Sequence, residues 1–169
     1  GQIGSRVAKR AQGFGMEILA YEVKPDRQFV QEHGIRLVGL NELLETADFV
    51  SVHVPLTGET HGLIGAEEIS KMQPTAYLVN TARGGIVEED ALYDALKSEI
   101  IAGAACDVFE TEPLADRKLA ELPTFIATPH ISPFTKEAIE NAERVSAKNI
   151  LDVLDGKRPE HVVNTEIYE

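Results

Sequence analysis

Three side chains suited to proton transfer and to carboxylate binding follow predicted strands of this chain. Arg83 is followed by two glycines, which permit a tight turn and the close approach of another group. A guanidinium in that position can hold a carboxylate and polarise a carbonyl through a planar pair of hydrogen bonds. His130 can donate or accept a proton, because imidazole changes charge near physiological pH. Glu112 precedes it and can orient the ring and favour its protonated form.

Each of these residues also has a simpler structural interpretation. Arg83 could form a surface salt bridge, and a lone histidine such as His130 more often caps a helix or packs in a core. Further polar residues, however, end successive predicted strands, namely His53, Asn80, Asp107 and Thr128. The carboxyl ends of parallel strands meet at one edge of a sheet, where ligands bind in open α/β folds. This convergence favours a catalytic interpretation of Arg83, Glu112 and His130.

The chain opens with Gly1-Gln2-Ile3-Gly4, directly before a segment of helical period. This is the second half of the G-x-G-x-x-G motif, whose backbone amides approach a pyrophosphate at a helix N-terminus, although glycine pairs also precede ordinary helices. Glu22 follows about 20 residues later, where a carboxylate accepts hydrogen bonds from both ribose hydroxyls and repels a 2′-phosphate. These residues predict a dinucleotide site that favours NAD, while Lys24 and Arg27 nearby leave NADP open.

Short apolar runs alternate with segments of helical period, which is typical of a parallel α/β sheet. The predicted strands are Met16–Tyr21, Ile35–Val38, Phe49–Val54, Ala76–Asn80, Ala102–Val108 and Phe125–Thr128. Several of them are continuously apolar, which predicts burial on both faces of the sheet.

The intervening segments are predicted to be helices. The first carries an apolar face, formed by Ile3, Val7, Ala8, Ala11 and Phe14. The later helices are predicted at Leu40–Ala47, Ala66–Met72, Glu88–Lys97 and Thr135–Leu154. The last helix has a predicted inner face of Ile139, Ala142, Val145, Asn149 and Val153. The tail Pro159–Glu169 has no helical period and is predicted to be an exit strand or a connector.

Composition excludes several classes of function. The chain has 169 residues, 43% hydrophobic and 26% charged, with a formal net charge of −12, which argues against binding nucleic acid or an anionic membrane surface. No apolar run approaches the roughly 20 residues of a spanning helix. No Cys/His spacing indicates a metal site. The single cysteine, Cys106, is predicted to be a packing residue and suits a reducing compartment such as the cytoplasm.

The motifs together resemble the NAD-binding domain of the D-isomer-specific 2-hydroxyacid dehydrogenases. The segments that carry the resemblance are GQIG, SVHVPLTGETHGLIG, LVNTARGGIVEEDAL, AGAACDVFETEP, TPHISPFT and HVVN. Their order and spacing are those of the family, and their wording is most similar to the phosphoglycerate dehydrogenase branch. The implied fold class is α/β, a Rossmann-type doubly wound parallel sheet, here lacking its first, central strand.

The resemblance implies a role for each matching residue. The residues implied to contact NAD are Gly1, Gln2, Ile3, Gly4, Glu22, Val54, Pro55, Thr81, Ala82, Arg83, Asp107, His130, Ser132 and Pro133. Among these, Ser132 and Pro133 stand where the family usually has small residues such as glycine and alanine, and Glu22 where it usually has Asp. Cys106 replaces a usual leucine.

The same resemblance implies reversible hydride transfer between NAD(H) and C2 of a D-2-hydroxy or 2-keto acid. Arg83 would bind the substrate carboxylate and carbonyl, His130 would be the acid/base, and Glu112 its partner. The substrate implied most directly is that of a D-3-phosphoglycerate dehydrogenase, with glyoxylate/hydroxypyruvate reductase and D-lactate-type dehydrogenase as alternatives. Two rivals belong to other classes, an NAD-sensing scaffold like the co-repressors of this fold and a nucleotide-binding domain of the methyltransferase type.

The resemblance also predicts how the chain is organised. Residues 1–158 would form the NAD-binding domain, and residues 159–169 would begin the return to a substrate domain outside this sequence. The strands Met16–Tyr21 and Phe49–Val54 would each face an unpaired edge where the first strand belongs. We therefore expect a fragment of a protein about twice as long, inactive and poorly folded by itself. The family implies a homodimer formed through this domain.

Overall fold

The computed structural model describes residues 1–114 and 117–168. The chain forms two compact units, Gly1–His130 and Ile131–Glu169. Among the described residues, the first unit carries all the strands and five of the α-helices, and the second is built around one long helix.

Six short strands form two parallel sheets in the first unit. The strands are β1 (Leu19–Ala20), β2 (Arg36–Leu37), β3 (Phe49–Val52), β4 (Tyr77–Asn80), β5 (Gly103–Cys106) and β6 (Phe125–Ala127). One sheet has the order β1-β2 and the other β3-β4-β5-β6, with every pair parallel. Within the described residues, β1 and β3 each pair on one side only. The predicted α/β class and the predicted break between these two strands are confirmed.

Six α-helices connect or follow the strands. They are α1 (Gln2–Gln12), α2 (Arg27–Glu32), α3 (Leu40–Thr46), α4 (Ala66–Ser70), α5 (Glu89–Lys97) and α6 (Lys136–Leu154). The side chain of Thr135 caps α6 by accepting a hydrogen bond from the Ala138 amide at 3.2 Å. Helix α2 was not predicted from the sequence, although Asp26 caps it by accepting a hydrogen bond from the Phe29 amide at 3.1 Å.

The core lies on one face of the four-stranded sheet. Leu44 of α3, Ile69 of α4 and Leu92 of α5 are almost completely buried, together with Leu78 of β4. The opposite face of β3 and β4 is open, because Phe49 and Tyr77 are exposed there and stack on each other with centroids 5.4 Å apart. The prediction that the strands are covered on both faces is therefore wrong for β3 and β4, whose burial alternates.

Two predicted helix faces are also not covered. Helix α1 contains no buried residue, and Ile3 and Phe14 on its predicted inner face are 65% and 84% exposed. Helix α6 contains no buried residue either, and Ile139 and Val153 are exposed. Apolar periodicity correctly located both helices, but it does not show whether an apolar face is buried, and neither helix has a buried residue among those the structure describes.

The tail contains one short helical turn. A 3₁₀ helix at Thr165–Tyr168 occupies the segment predicted to lack helical period, and no strand occurs in residues 159–168. No helix of residues 1–114 and 117–168 combines the length and the apolar character needed to cross a membrane.

Candidate active site

A carboxylate–imidazole pair forms the centre of the candidate site. Oε2 of Glu112 lies 2.7 Å from Nδ1 of His130, and Oε1 accepts a hydrogen bond from the Phe109 amide at 3.0 Å. These two contacts, first His130 and then Phe109, hold the pKa of Glu112 below its ordinary value. The ionised carboxylate requires a proton on Nδ1, so Nε2 is the ring nitrogen that remains to exchange a proton.

The backbone of His130 adopts a conformation that few non-glycine residues adopt. Its φ is 53°, in the left-handed region, and such strain concentrates at functional sites. The His130 amide donates to the Asp107 carbonyl at 2.8 Å. This bond connects the end of β6 to the end of β5 and helps to hold the ring beside Glu112.

A cavity of about 440 Å³ opens beside this pair. Its lining residues are Phe109, Glu112, Pro113, Leu114, Ala127, Thr128, Pro129 and His130. Most of the wall is apolar, and the titratable groups are His130 and Glu112. A cavity of this composition can bind a small organic molecule and expose it to a proton donor.

The turn that carries Arg83 is held from inside by a buried amide. Asn80, which is 2% exposed, donates from Nδ2 to the Arg83 carbonyl at 2.9 Å and accepts at Oδ1 from the Ala82 amide at 3.0 Å. The exposed Arg83 side chain donates from Nη1 to the Ala82 carbonyl at 2.6 Å. Thr81, Ala82 and Arg83 therefore form one compact turn at the end of β4.

Gly84 brings this turn against the loop that carries Glu112. A Cβ atom at Gly84 would lie 2.0 Å from the Phe109 carbonyl carbon and 2.4 Å from the Glu110 nitrogen. The two backbones can approach this closely only because residue 84 is glycine. Since the Phe109 amide also donates to Glu112, the Arg83 turn and the acid–base pair are attached to the same loop.

Asp107 lies at the end of β5 and is 3% exposed. Its Oδ1 accepts a hydrogen bond from the Thr128 hydroxyl at 2.5 Å, and its amide donates to the Asn80 carbonyl at 3.0 Å. Asn80 and Thr128 were identified from the sequence as polar residues that end strands, but their hydrogen bonds in this network were not predicted.

The glycine loop and Glu22 come together in the first unit. The Gly1 nitrogen lies 3.6 Å from Oε2 of Glu22, and Oε1 accepts from the Lys24 amide at 3.0 Å. The Lys24 bond is the largest of the causes that hold the pKa of Glu22 below its ordinary value. Gly1 caps α1, whose first turn includes Gln2, Ile3 and Gly4. An ionised acid beside a helix N-terminus fits the ribose and pyrophosphate of a dinucleotide.

The loop after β3 reaches the same helix. A Cβ at Gly4 would lie 3.4 Å from the His53 side chain, whose Nε2 is 2.9 Å from the Ser51 hydroxyl. Burial of the ring lowers the pKa of His53. Val54 packs against the core, and the Pro55 carbonyl accepts from the Thr60 hydroxyl at 2.6 Å.

The remaining predicted residues divide between the two units. Ser132 and Pro133 lie in the second unit, before α6. Cys106 is buried, as predicted for a packing residue, and burial raises the pKa of its thiol to about 12. Among residues 1–114 and 117–168, no group of three or more His, Cys, Asp or Glu side chains could hold a metal ion.

Comparison with known families identifies this arrangement. Residues 1–132 match the model of the D-isomer specific 2-hydroxyacid dehydrogenase, NAD binding domain. The chain belongs to this family. The predicted family and its cofactor, NAD, are thereby confirmed, and the methyltransferase-type alternative is excluded.

Two curated relatives illustrate the range of similar proteins. A glyoxylate reductase of Korarchaeum cryptofilum is 45% identical over 99% of this chain and 51% of its own length. A D-3-phosphoglycerate dehydrogenase of Methanocaldococcus jannaschii is 46% identical over 97% of this chain and 32% of its own length. The chain thus spans about half or less of the length of these two relatives. The phosphoglycerate dehydrogenase branch and the glyoxylate reductase alternative are both represented, at nearly equal identity.

Solved structures agree with the fold of the dehydrogenase family. D-lactate dehydrogenase of Lactobacillus jensenii with NAD⁺ matches with a TM-score of 0.90 and 32% identity, over 96% of this chain and 53% of that one. The TT0316 protein of Thermus thermophilus also matches with a TM-score of 0.90, at 40% identity, over 96% and 51% of the two chains.

Proposed function

We propose that residues 1–158 are the NAD-binding domain of an enzyme that transfers a hydride between NAD(H) and C2 of a D-2-hydroxy or 2-keto acid. Residues 159–169 would begin the return to a substrate domain. The observation that carries the proposal is the Glu112–His130 pair at the wall of a cavity of about 440 Å³. An ionised acid that holds Nδ1 and leaves Nε2 to exchange a proton is the arrangement that carbonyl reduction needs.

In the reducing direction, the guanidinium of Arg83 binds the keto-acid carboxylate and orients the carbonyl. His130 then donates the Nε2 proton to the carbonyl oxygen, which becomes the hydroxyl. When bound, NADH would supply the hydride to C2 in this direction, and NAD⁺ would accept it in the other. The negative charge of Glu112 stabilises the imidazolium before transfer and holds the ring in position afterwards.

The cofactor contacts are proposed from the same elements. Gln2 and Ile3 would offer backbone amides to the pyrophosphate, and Glu22 would hold the adenosine ribose. Asp107 would bind the carboxamide of the nicotinamide. The residues proposed to line the rest of the cofactor are Gly1, Gly4, Val54, Pro55, Thr81, Ala82, Arg83, His130, Ser132 and Pro133.

The substrate proposed first is that of a D-3-phosphoglycerate dehydrogenase, because the motif wording is most similar to that branch. Glyoxylate or hydroxypyruvate reduction is the alternative, supported by relatives named glyoxylate reductase at up to 45% identity. A homodimer formed through this domain is proposed from the family resemblance. A cytoplasmic location is proposed because the one cysteine, Cys106, is unpaired and suits a reducing compartment.

The test is His130→Gln in the full-length enzyme, assayed for NADH oxidation with phosphohydroxypyruvate, glyoxylate, hydroxypyruvate and pyruvate. Loss of the proton donor should lower kcat by about 100-fold or more while NADH affinity is retained. His33→Gln at the end of α2 is the matched control and should keep wild-type turnover. A kcat within a few-fold of wild type for His130→Gln would refute the acid/base role. Tight NADH binding by the wild type without turnover of any keto acid would instead favour an NAD-sensing scaffold.

A further inference from the structure

Asn80 is one of two buried polar residues in the part of the chain that the structure describes, and the other is Asp107. A buried amide is costly unless its donor and its acceptor both find partners. The Asn80 side chain satisfies both within the turn that follows it, since it binds the Ala82 amide and the Arg83 carbonyl. The side-chain amide of Asn80 thus fixes the backbone of Ala82 and Arg83.

The guanidinium of Arg83 is tied to the same peptide groups. Its Nη1 donates to the carbonyl of Ala82, whose own amide is held by Oδ1 of Asn80. Loss of the Asn80 side chain would therefore release two groups. One is the Arg83 backbone, and the other is Ala82, whose carbonyl accepts the hydrogen bond of the guanidinium. Arg83 would keep its charge and lose its fixed direction.

A continuous series of hydrogen bonds also connects this turn to His130. The Asn80 carbonyl accepts from the Asp107 amide at 3.0 Å, and the Asp107 carbonyl accepts from the His130 amide at 2.8 Å. With the Asn80 Nδ2 bond to Arg83, three hydrogen bonds join the carboxylate-binding group to the proton donor. These bonds link the ends of β4, β5 and β6.

We propose that Asn80 is a positioning residue that fixes Arg83 relative to His130 and acts on the reaction only through Arg83. This inference rests on the proposed function. Because it requires no contact between Asn80 and substrate or cofactor, its effect should vanish when Arg83 is absent. If Asn80 had a purely structural role, its substitution would lower kcat/KM by the same factor in the wild type and in the Arg83→Ala background, and it would lower stability equally in both.

The experiment is a double-mutant cycle in the full-length enzyme, with Asn80→Ala, Arg83→Ala and the combined variant. We expect Asn80→Ala to reduce kcat/KM for the keto acid about 100-fold, because small misplacements of a substrate-orienting group have effects of this size. KM for the keto acid should rise, while the Kd for NADH should stay within about threefold of wild type. In the Arg83→Ala background, Asn80→Ala should reduce kcat/KM no further.

Asn80→Asp provides a second variant of the same size, in case Asn80→Ala fails to fold. It keeps the acceptor for the Ala82 amide and loses the donor to the Arg83 carbonyl, so it should lose activity in the same Arg83-dependent way. Gln73→Ala is the matched control, because its amide donates to the Glu45 carbonyl at 2.5 Å ahead of β4. It should leave kcat/KM unchanged.

Two results would overturn the proposal. One is a folded Asn80→Asp variant with wild-type kcat/KM, and the other is an equal effect of Asn80 substitution in both backgrounds. If Arg83→Ala itself retains wild-type kcat/KM, the proposed role of Arg83 fails and this inference fails with it. If Arg83→Ala loses activity and the Asn80 variants do not, only this inference is wrong.

Discussion

Residues 1–38 and residues 44–130 differ sharply in how they are held. In the first region, Ile35 is the one buried residue, and the two-stranded sheet β1-β2 has no further strand beside it. In the second region, the four-stranded sheet packs one face against α3, α4 and α5 around residues such as Leu44, Leu78 and Leu92. Both regions carry groups assigned to the candidate site.

The difference in packing corresponds to two ways in which functional side chains are held in place. Glu112 contacts His130, which lies 18 residues further along the chain. The residues whose backbones hold this pair, Phe109 and Asp107, are buried in the packed region. Glu22 is held mainly by the amide of Lys24, two residues away. Proton transfer needs fixed distances and therefore belongs on packed elements, whereas binding of a ribose tolerates a site defined by local hydrogen bonds.

The largest expected contrast is in stability. Leu78→Ala removes a completely buried side chain from β4 and should lower the free energy of unfolding by about 3 kcal/mol. Ile3→Ala removes a side chain that is 65% exposed on α1 and should change it by less than about 0.5 kcal/mol. Urea denaturation of the full-length protein measures both. Equal losses would show that sequence outside these 169 residues covers the apolar face of α1, and the contrast between the regions would then hold only for the chain described.

A smaller loss of stability than for Leu78→Ala is expected when a methyl group is added where two loops of the packed region approach each other. Gly84→Ala places a methyl group 2.0 Å from the backbone of Phe109, so the Arg83 turn must move away from the Glu112 loop. We expect a loss of about 2 kcal/mol in stability, typical of overpacking, together with reduced kcat. Gly58→Ala meets nothing within 4 Å and is the control. Wild-type stability and kcat for Gly84→Ala would mean that the two loops need not be in contact.

The same contrast explains how much the sequence could predict. Arg83, Glu112 and His130 could be proposed from the sequence because they are chemically distinctive and follow strands whose apolar runs are clear. The proximity of Gly84 to Phe109 could not be found, since it depends on how two loops distant in sequence approach each other. The hydrogen bonds of Asn80 could not be found either, since they depend on the backbone conformation of the turn formed by residues 80–83. The apolar faces of α1 and α6 predicted helices correctly, but periodicity does not reveal whether a face has a partner.

The last expected difference concerns pH. Because the contact with His130 holds the pKa of Glu112 below its ordinary value of 4.5, ionised Glu112 stabilises the folded protein above that pH. This stabilisation is lost as the pH falls through the lowered value, when the carboxylate is protonated in both states. The difference in unfolding free energy between wild type and Glu112→Gln should therefore shrink below pH 4.5.

Glu22→Gln is the counterpart from the loosely packed region. Its main stabilising contact is the Lys24 amide two residues away. A contact this local can also form in the unfolded chain, so we expect the folded and unfolded pKa values of Glu22 to differ less. The difference between wild type and Glu22→Gln should change little between pH 6 and pH 3, as followed by urea midpoints. A larger pH dependence for Glu22 than for Glu112 would contradict this prediction. It would mean that Glu22, and not Glu112, depends more on contacts that form only in the folded protein.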